Sequence, residues 1–93
     1  MDEIKVYIVA SMIIEGIKSM HRIDVSNDSQ AVCRILEESR KSLEFSKAER
    51  SPTLRICLPF ITSFNGHCVH FDTAISKMDV EKLLIRWVSR SVL

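Results

Sequence analysis

The residues best suited to chemistry in this sequence stand close together in the segment GHCVH. His67, Cys68 and His70 carry groups that bind transition metals. On a β-strand, Cys68 and His70 share one face while His67 points to the other. A tetrahedral zinc site needs three or four ligands converging from one side. Cys57 and Asp72 are on the correct face, but Cys57 lies several residue pairs from Cys68. The pattern therefore indicates a polar strand face, and we predict no metal and no cofactor.

Two cysteine–histidine pairs could be drawn as a nucleophile and its base, Cys68 with His70 and Cys33 with His21. A catalytic cysteine needs an electropositive, partly exposed setting and a third group that orients the base. No such third group is visible near either pair, and a free cysteine is more often a small buried hydrophobe. We therefore predict that the protein is not an enzyme.

A basic stripe on the last predicted helix suggests a different kind of binding. Its three cations, spaced i, i+4 and i+8, are Lys82, Arg86 and Arg90. The stripe could bind a polyanion, so a nucleic-acid-binding accessory protein is the alternative function. Acidic residues interleave with the basic ones and no exposed aromatic platform accompanies them, which favours an ordinary solvated helix face.

The strongest structural signal is a hairpin over residues 54–75. Asn65-Gly66 separates two β-rich runs, and this dipeptide is typical of a type I′ turn. Pro59 cannot donate to a ladder, so its strand should be an edge there or bulged. The turn predicts the cross-strand pairs Phe64/His67, Thr62/Val69, Phe60/Phe71 and Leu58/Thr73.

Residues 4–25 admit two interpretations. As a helix, they place five apolar side chains on one face: Val6, Val9, Ile13, Ile17 and Met20. As a hairpin with its turn at Glu15-Gly16, they give one nearly all-apolar face and one mixed face. The β-branched density of residues 4–9 and the lack of an N-cap favour the hairpin.

Two helices have clear start signals. Ser26-Asn27-Asp28 should cap a helix that runs to about Ala48 and stops before Pro52. Ser76, with an acidic residue three positions later, should cap the last helix. The buried stripe predicted for that helix comprises Val80, Leu83, Leu84, Trp87 and Val88. The resulting fold class is α+β: a two-layer sandwich in which a four-stranded antiparallel ββαββα sheet carries both helices on one face.

The length and composition of the chain limit the classes of function that it could have. The length of 93 residues predicts a single domain, 1–93. A net charge of +1 creates no overall electrostatic field that would attract nucleic acid or an anionic membrane. Three cysteines, an odd count, indicate reduced thiols in an intracellular protein, with cytoplasm and nucleus undistinguished. No apolar run could span a membrane. With only two glycines there is no phosphate cradle, and no small-molecule substrate is evident.

These features predict a small protein–protein interaction or assembly protein. If both helices cover one sheet face, the other face is too apolar to remain exposed to solvent. We expect it to bind a second copy of the chain, in a homo-oligomer, or another protein partner. The predicted partner-binding face comprises Tyr7, Val9, Ile13, Met20, Cys57, Ile61, Cys68 and His70.

Overall fold

The protein folds as three helices and one β-hairpin. The computed structural model describes the backbone of residues 2–64 and 67–92 and the side chains of residues 3–61 and 69–87. Helix α1 spans Asp2–His21, α2 Ser29–Glu49, β1 Thr53–Phe64, β2 His67–Ser76 and α3 Lys77–Val92. The fold is α+β, but the predicted four-stranded ββαββα sheet is wrong. The described sheet has two antiparallel strands, because residues 4–25 supply a helix instead of a hairpin.

Helix α1 is the element that the sequence pattern misassigned. Four apolar residues are buried at the spacing that the helical interpretation predicts: Val6, Val9, Ile13 and Ile17. Met20, the fifth residue of that face, is exposed. Other buried residues lie between them, because α1 contacts α2, α3 and β2. A helix that is covered on several sides has no wide polar face, so its apolar residues do not repeat clearly every 3.6 residues. Tertiary packing here overrides the preference of β-branched residues for strands.

Gly16 lies within α1, not in a turn. The ring of Phe71 from β2 packs against it, and a Cβ built on Gly16 would lie 2.6 Å from the Cζ atom of Phe71. Real Cβ atoms essentially never come this close to another heavy atom. The missing side chain therefore lets α1 approach the hairpin.

Helix α2 begins and ends close to the residues that the sequence predicts. Asp28 is the N-cap and accepts a hydrogen bond from the Ala31 amide at 3.2 Å, while Arg50 ends the helix in the left-handed region. Its buried face carries three serines, Ser39, Ser42 and Ser46. Small side chains let a helix lie close to a sheet, and the Ser42 hydroxyl donates to the Arg55 carbonyl of β1 at 2.8 Å.

The hairpin is confirmed, with a change of register. Phe64 pairs with His67 and Thr62 with Val69 as predicted, but Leu58 pairs with Phe71, not with Thr73. Residues 59–61 form a bulge opposite His70. The predicted turn at Asn65-Gly66 lies outside the described residues.

Helix α3 starts as predicted, with the Met78 amide donating to the Ser76 hydroxyl at 3.2 Å. Ile75 and Val80 are both buried beside this cap, as a hydrophobic staple requires. Burial declines along the helix, so Trp87 is 47% exposed and its predicted core position is wrong. None of the described helices is both long and apolar enough to cross a membrane.

Candidate interaction site at the strand bulge

The bulge of β1 presents an exposed aromatic ring on a strained backbone. Phe60 has φ of 54° and is 63% exposed, whereas its neighbour Ile61 is 4% exposed. The predicted orientations of these two residues are therefore wrong, because the left-handed residue breaks the alternation of the strand. A non-glycine residue in this region costs about 1–3 kcal/mol and persists only where its surroundings hold it.

Arg34 of α2 holds the bulge from one side. Its guanidinium donates to the Phe60 carbonyl at 2.5 Å and to the Pro59 carbonyl at 2.6 Å. The planar fork of an arginine suits two neighbouring acceptors, which a lysine could not engage with the same geometry. Helix α2 packs on β1, and this packing places Arg34 beside the bulge.

His70 of β2 holds the bulge from the other side. Its Nδ1 atom accepts a hydrogen bond from the Phe60 amide at 3.1 Å, and its ring meets the Phe60 ring edge-on at 4.6 Å between centroids. Nδ1 can accept this bond only in the tautomer that carries its ring proton on Nε2. His21 at the end of α1 in turn donates from Nε2 to the His70 carbonyl at 2.9 Å. Contacts from α2 and β2 thus hold the backbone of Phe60, and the His70 ring packs against its side chain.

A shallow depression of about 230 Å³ lies beside the bulge. Its lining carries both charge signs and comprises Arg34, Glu37, Glu38, Lys41, Cys57, Leu58 and Pro59. Cys57 stands opposite Asp72 across the hairpin. The Asp72 carboxylate accepts a hydrogen bond from the Cys57 thiol, and this bond and the negative charge of the carboxylate raise the pKa of that thiol, which disfavours the nucleophilic thiolate.

The eight residues predicted to form one partner-binding sheet face do not share a face. Tyr7, Val9, Ile13 and Met20 lie on α1, where Val9 and Ile13 are buried and the other two are exposed. Ile61 points into the core. The residues of this set that the structure places on the outer side of the hairpin are Cys57 and His70; the Cys68 side chain lies outside the described residues.

The site contains residues that the sequence reasoning did not select. Pro59 signalled an interruption of β1, but Phe60 was assigned to the core. Arg34 carried no local signal, since it reaches the bulge from 25 residues away in sequence. A proline in a β-rich run followed by an aromatic residue is the one pattern that could have indicated the site.

The other predicted chemistry stays untested. No group of three or more potential metal ligands occurs among the described side chains, which leave out His67 and Cys68. Lys82 and Arg86 are exposed on α3, whereas the Arg90 side chain lies outside the described part.

A larger groove of about 690 Å³ runs between the three helices and β1. Its charges are largely matched within the chain: Glu3 pairs with Arg40 at 3.1 Å and Lys5 with Glu81 at 2.8 Å. The Lys77 ammonium donates to the Ser46 carbonyl at 3.1 Å. The groove therefore presents no strong excess of one charge.

The chain is distantly similar to a known chaperone. No protein-family profile matches the chain. The chain is 29% identical over 83 residues to the chaperone protein dnaK of Cyanidium caldarium. The similarity covers 88% of this chain but 13% of that chaperone, so the chain spans a small part of the length of this relative.

Proposed function

We propose that the chain is an intracellular protein–protein interaction domain that binds its partner through Phe60. The observation that carries this proposal is the combination of exposure and constraint at the bulge. A 63% exposed aromatic ring sits on a left-handed backbone that Arg34 and His70 hold in place.

The physical advantage of such a ring is preorganisation. Aromatic side chains are frequent anchors of protein interfaces, because they bury a large area with few rotatable bonds. Fixing the ring before binding removes part of the entropy that association costs. Backbone strain that the surroundings maintain is itself a common feature of binding sites.

The surroundings of the ring define the partner. The partner should offer an apolar pocket for Phe60, flanked by polar groups that match the mixed charges of Arg34, Glu37, Glu38 and Lys41. The similarity to a chaperone supports a protein partner. The exposed free thiols of Cys33 and Cys57 support an intracellular setting.

The proposal can be tested with peptides selected against the folded protein from a displayed random library. Phe45 on α2 provides a matched control, since it is 68% exposed and makes no part of the bulge. Phe60→Ala should weaken the selected peptides by roughly thirtyfold, the effect of losing an anchor worth about 2 kcal/mol. Phe45→Ala should leave their affinity unchanged, as fluorescence polarisation can measure.

A third variant separates the ring from its frame. Arg34→Gln keeps Phe60 but removes the forked donor, so affinity should fall while the far-ultraviolet circular dichroism spectrum stays that of the native protein. Peptides that bind Phe60→Ala as tightly as the native chain, or that depend on Phe45 instead, would refute the proposed site.

A further inference from the structure

The two edges of the hairpin differ in how their backbone groups are satisfied. On β1, helix α2 covers the outer edge: Ser42 donates to the Arg55 carbonyl and Arg34 to the Pro59 carbonyl. An open strand edge invites pairing with another chain, and covering it with a helix is a common protection. The outer edge of β1 is therefore covered at Arg55 and at Pro59.

The direction of the Arg55 carbonyl fixes the direction of the groups on β2. Because that carbonyl points away from β2, Arg55 and its partner Ala74 form a non-hydrogen-bonded pair. The bond from the Lys77 amide to the Pro52 carbonyl, at 3.0 Å, confirms this alternation along the ladder. By the same two-residue period, the amides and carbonyls of Asp72 and Ala74 point outward from β2.

This outer edge of β2 is open between His70 and α3. The His70 carbonyl already accepts a hydrogen bond from Nε2 of His21, at 2.9 Å. Among the described residues, the outward backbone groups of Asp72 and Ala74 have no hydrogen-bond partner, and both side chains are exposed. Adding a strand here would satisfy these groups and extend the two-stranded sheet.

We propose that this edge pairs with the same edge of a second copy of the chain. An antiparallel strand can pair with itself about a twofold axis, which gives a closed, symmetric dimer. With the axis at Thr73, Asp72 of one copy lies opposite Ala74 of the other, and the outward backbone groups of these residues exchange hydrogen bonds. The two hairpins then form one four-stranded antiparallel sheet.

Charge disfavours one neighbouring register. The register one step toward His70 sets Asp72 opposite Asp72 of the second copy, and like charges directly opposite each other are destabilising. Centring on Thr73 sets a threonine opposite a threonine, which is a favourable cross-strand pair. Pairing ends at His70, because its carbonyl is already bound by His21. This edge is separate from the Phe60 site, so either assignment can fail without the other.

Sedimentation equilibrium of the native chain, from micromolar to millimolar concentration, should show a reversible dimer. Ala74→Pro should abolish it, because proline removes an outward amide without removing a bond to β1. The matched control is Cys57→Pro, which makes the same change on the covered edge of β1 and should leave the dimer intact. Circular dichroism establishes that both variants fold.

Amide hydrogen exchange of the native chain gives a second measurement that needs no variant. Exchange at Asp72 and Ala74 should slow as the dimer forms, while that at other exposed amides stays constant. A chain that stays monomeric at millimolar concentration would overturn the proposal, as would a dimer that persists in Ala74→Pro or forms without protecting these two amides.

Discussion

Replacing Gly16 by alanine should destabilise the protein, against the usual effect of this change in a helix. A glycine-to-alanine change inside a helix normally stabilises it by about 1 kcal/mol. Here the new Cβ would lie 2.6 Å from Cζ and 3.3 Å from Cε1 of Phe71. Phe71 is 4% exposed and enclosed by the core, so its ring has little room to move.

The magnitude follows from two opposing terms. Forcing an extra methyl group into a packed core costs about 1–3 kcal/mol, which offsets or exceeds the gain of about 1 kcal/mol in helix propensity. The expected net loss is about 0–2 kcal/mol. Phe71→Ala alone should cost about 3–5 kcal/mol, the range for removing a buried aromatic ring. In that background the clash is absent, so Gly16→Ala should become stabilising by about 1 kcal/mol.

Urea unfolding of the native chain, the two single variants and the double variant completes this cycle. The decisive quantity is the coupling free energy between Gly16 and Phe71, expected at about 1–3 kcal/mol. Similar slopes of unfolding free energy against urea in all four proteins would show that the variants unfold over similar surface areas. If Gly16→Ala had the same effect with and without the Phe71 ring, the packing of α1 on β2 described here would be refuted.

Two further predictions concern the surface. Asp72 raises the pKa of the Cys57 thiol, so Asp72→Asn should lower that pKa and speed alkylation of Cys57 at neutral pH. Peptide-resolved mass spectrometry with Cys33 as the internal reference would measure this, and an unchanged rate would exclude the carboxylate as the cause. The basic stripe of α3 comprises Lys82, Arg86 and Arg90. Replacing all three by glutamine should barely change the melting temperature, since exposed charges contribute little to stability. If the native chain shows no salt-sensitive binding to any polyanion, the nucleic-acid hypothesis is abandoned.

The elements that the sequence predicted correctly are those with local signals. Asp28 and Ser76 each satisfy the first backbone amides of a helix within three residues, so their roles can be read from a short segment. The hairpin register near Phe64 and His67 also depends on the adjacent turn, and it is correct. Each of these features needs no knowledge of the rest of the fold.

The elements that the sequence predicted wrongly depend on distant partners. Helix α1 is covered by α2, α3 and β2, so its apolar residues do not show one clean helical period. Pro59 correctly indicated a possible bulge, but the register shift depends on Arg34 and His70, which reach Phe60 from other elements. Nothing in the residues around Phe60 encodes these contacts, and the site was missed for that reason.

The misassignment of α1 also changes where assembly should occur. Had residues 4–25 formed strands, the position beside β2 could have been filled from within the chain. Because they form a helix, α1 closes that edge only at His70, through His21, and leaves Asp72 and Ala74 open. The apolar sheet face that predicted self-association loses Val9, Ile13 and Ile61 to the core, so its driving force is lost as well. On the physical grounds given above, self-association should therefore use the backbone edge of β2, and the four-stranded sheet would be completed between two copies of the chain.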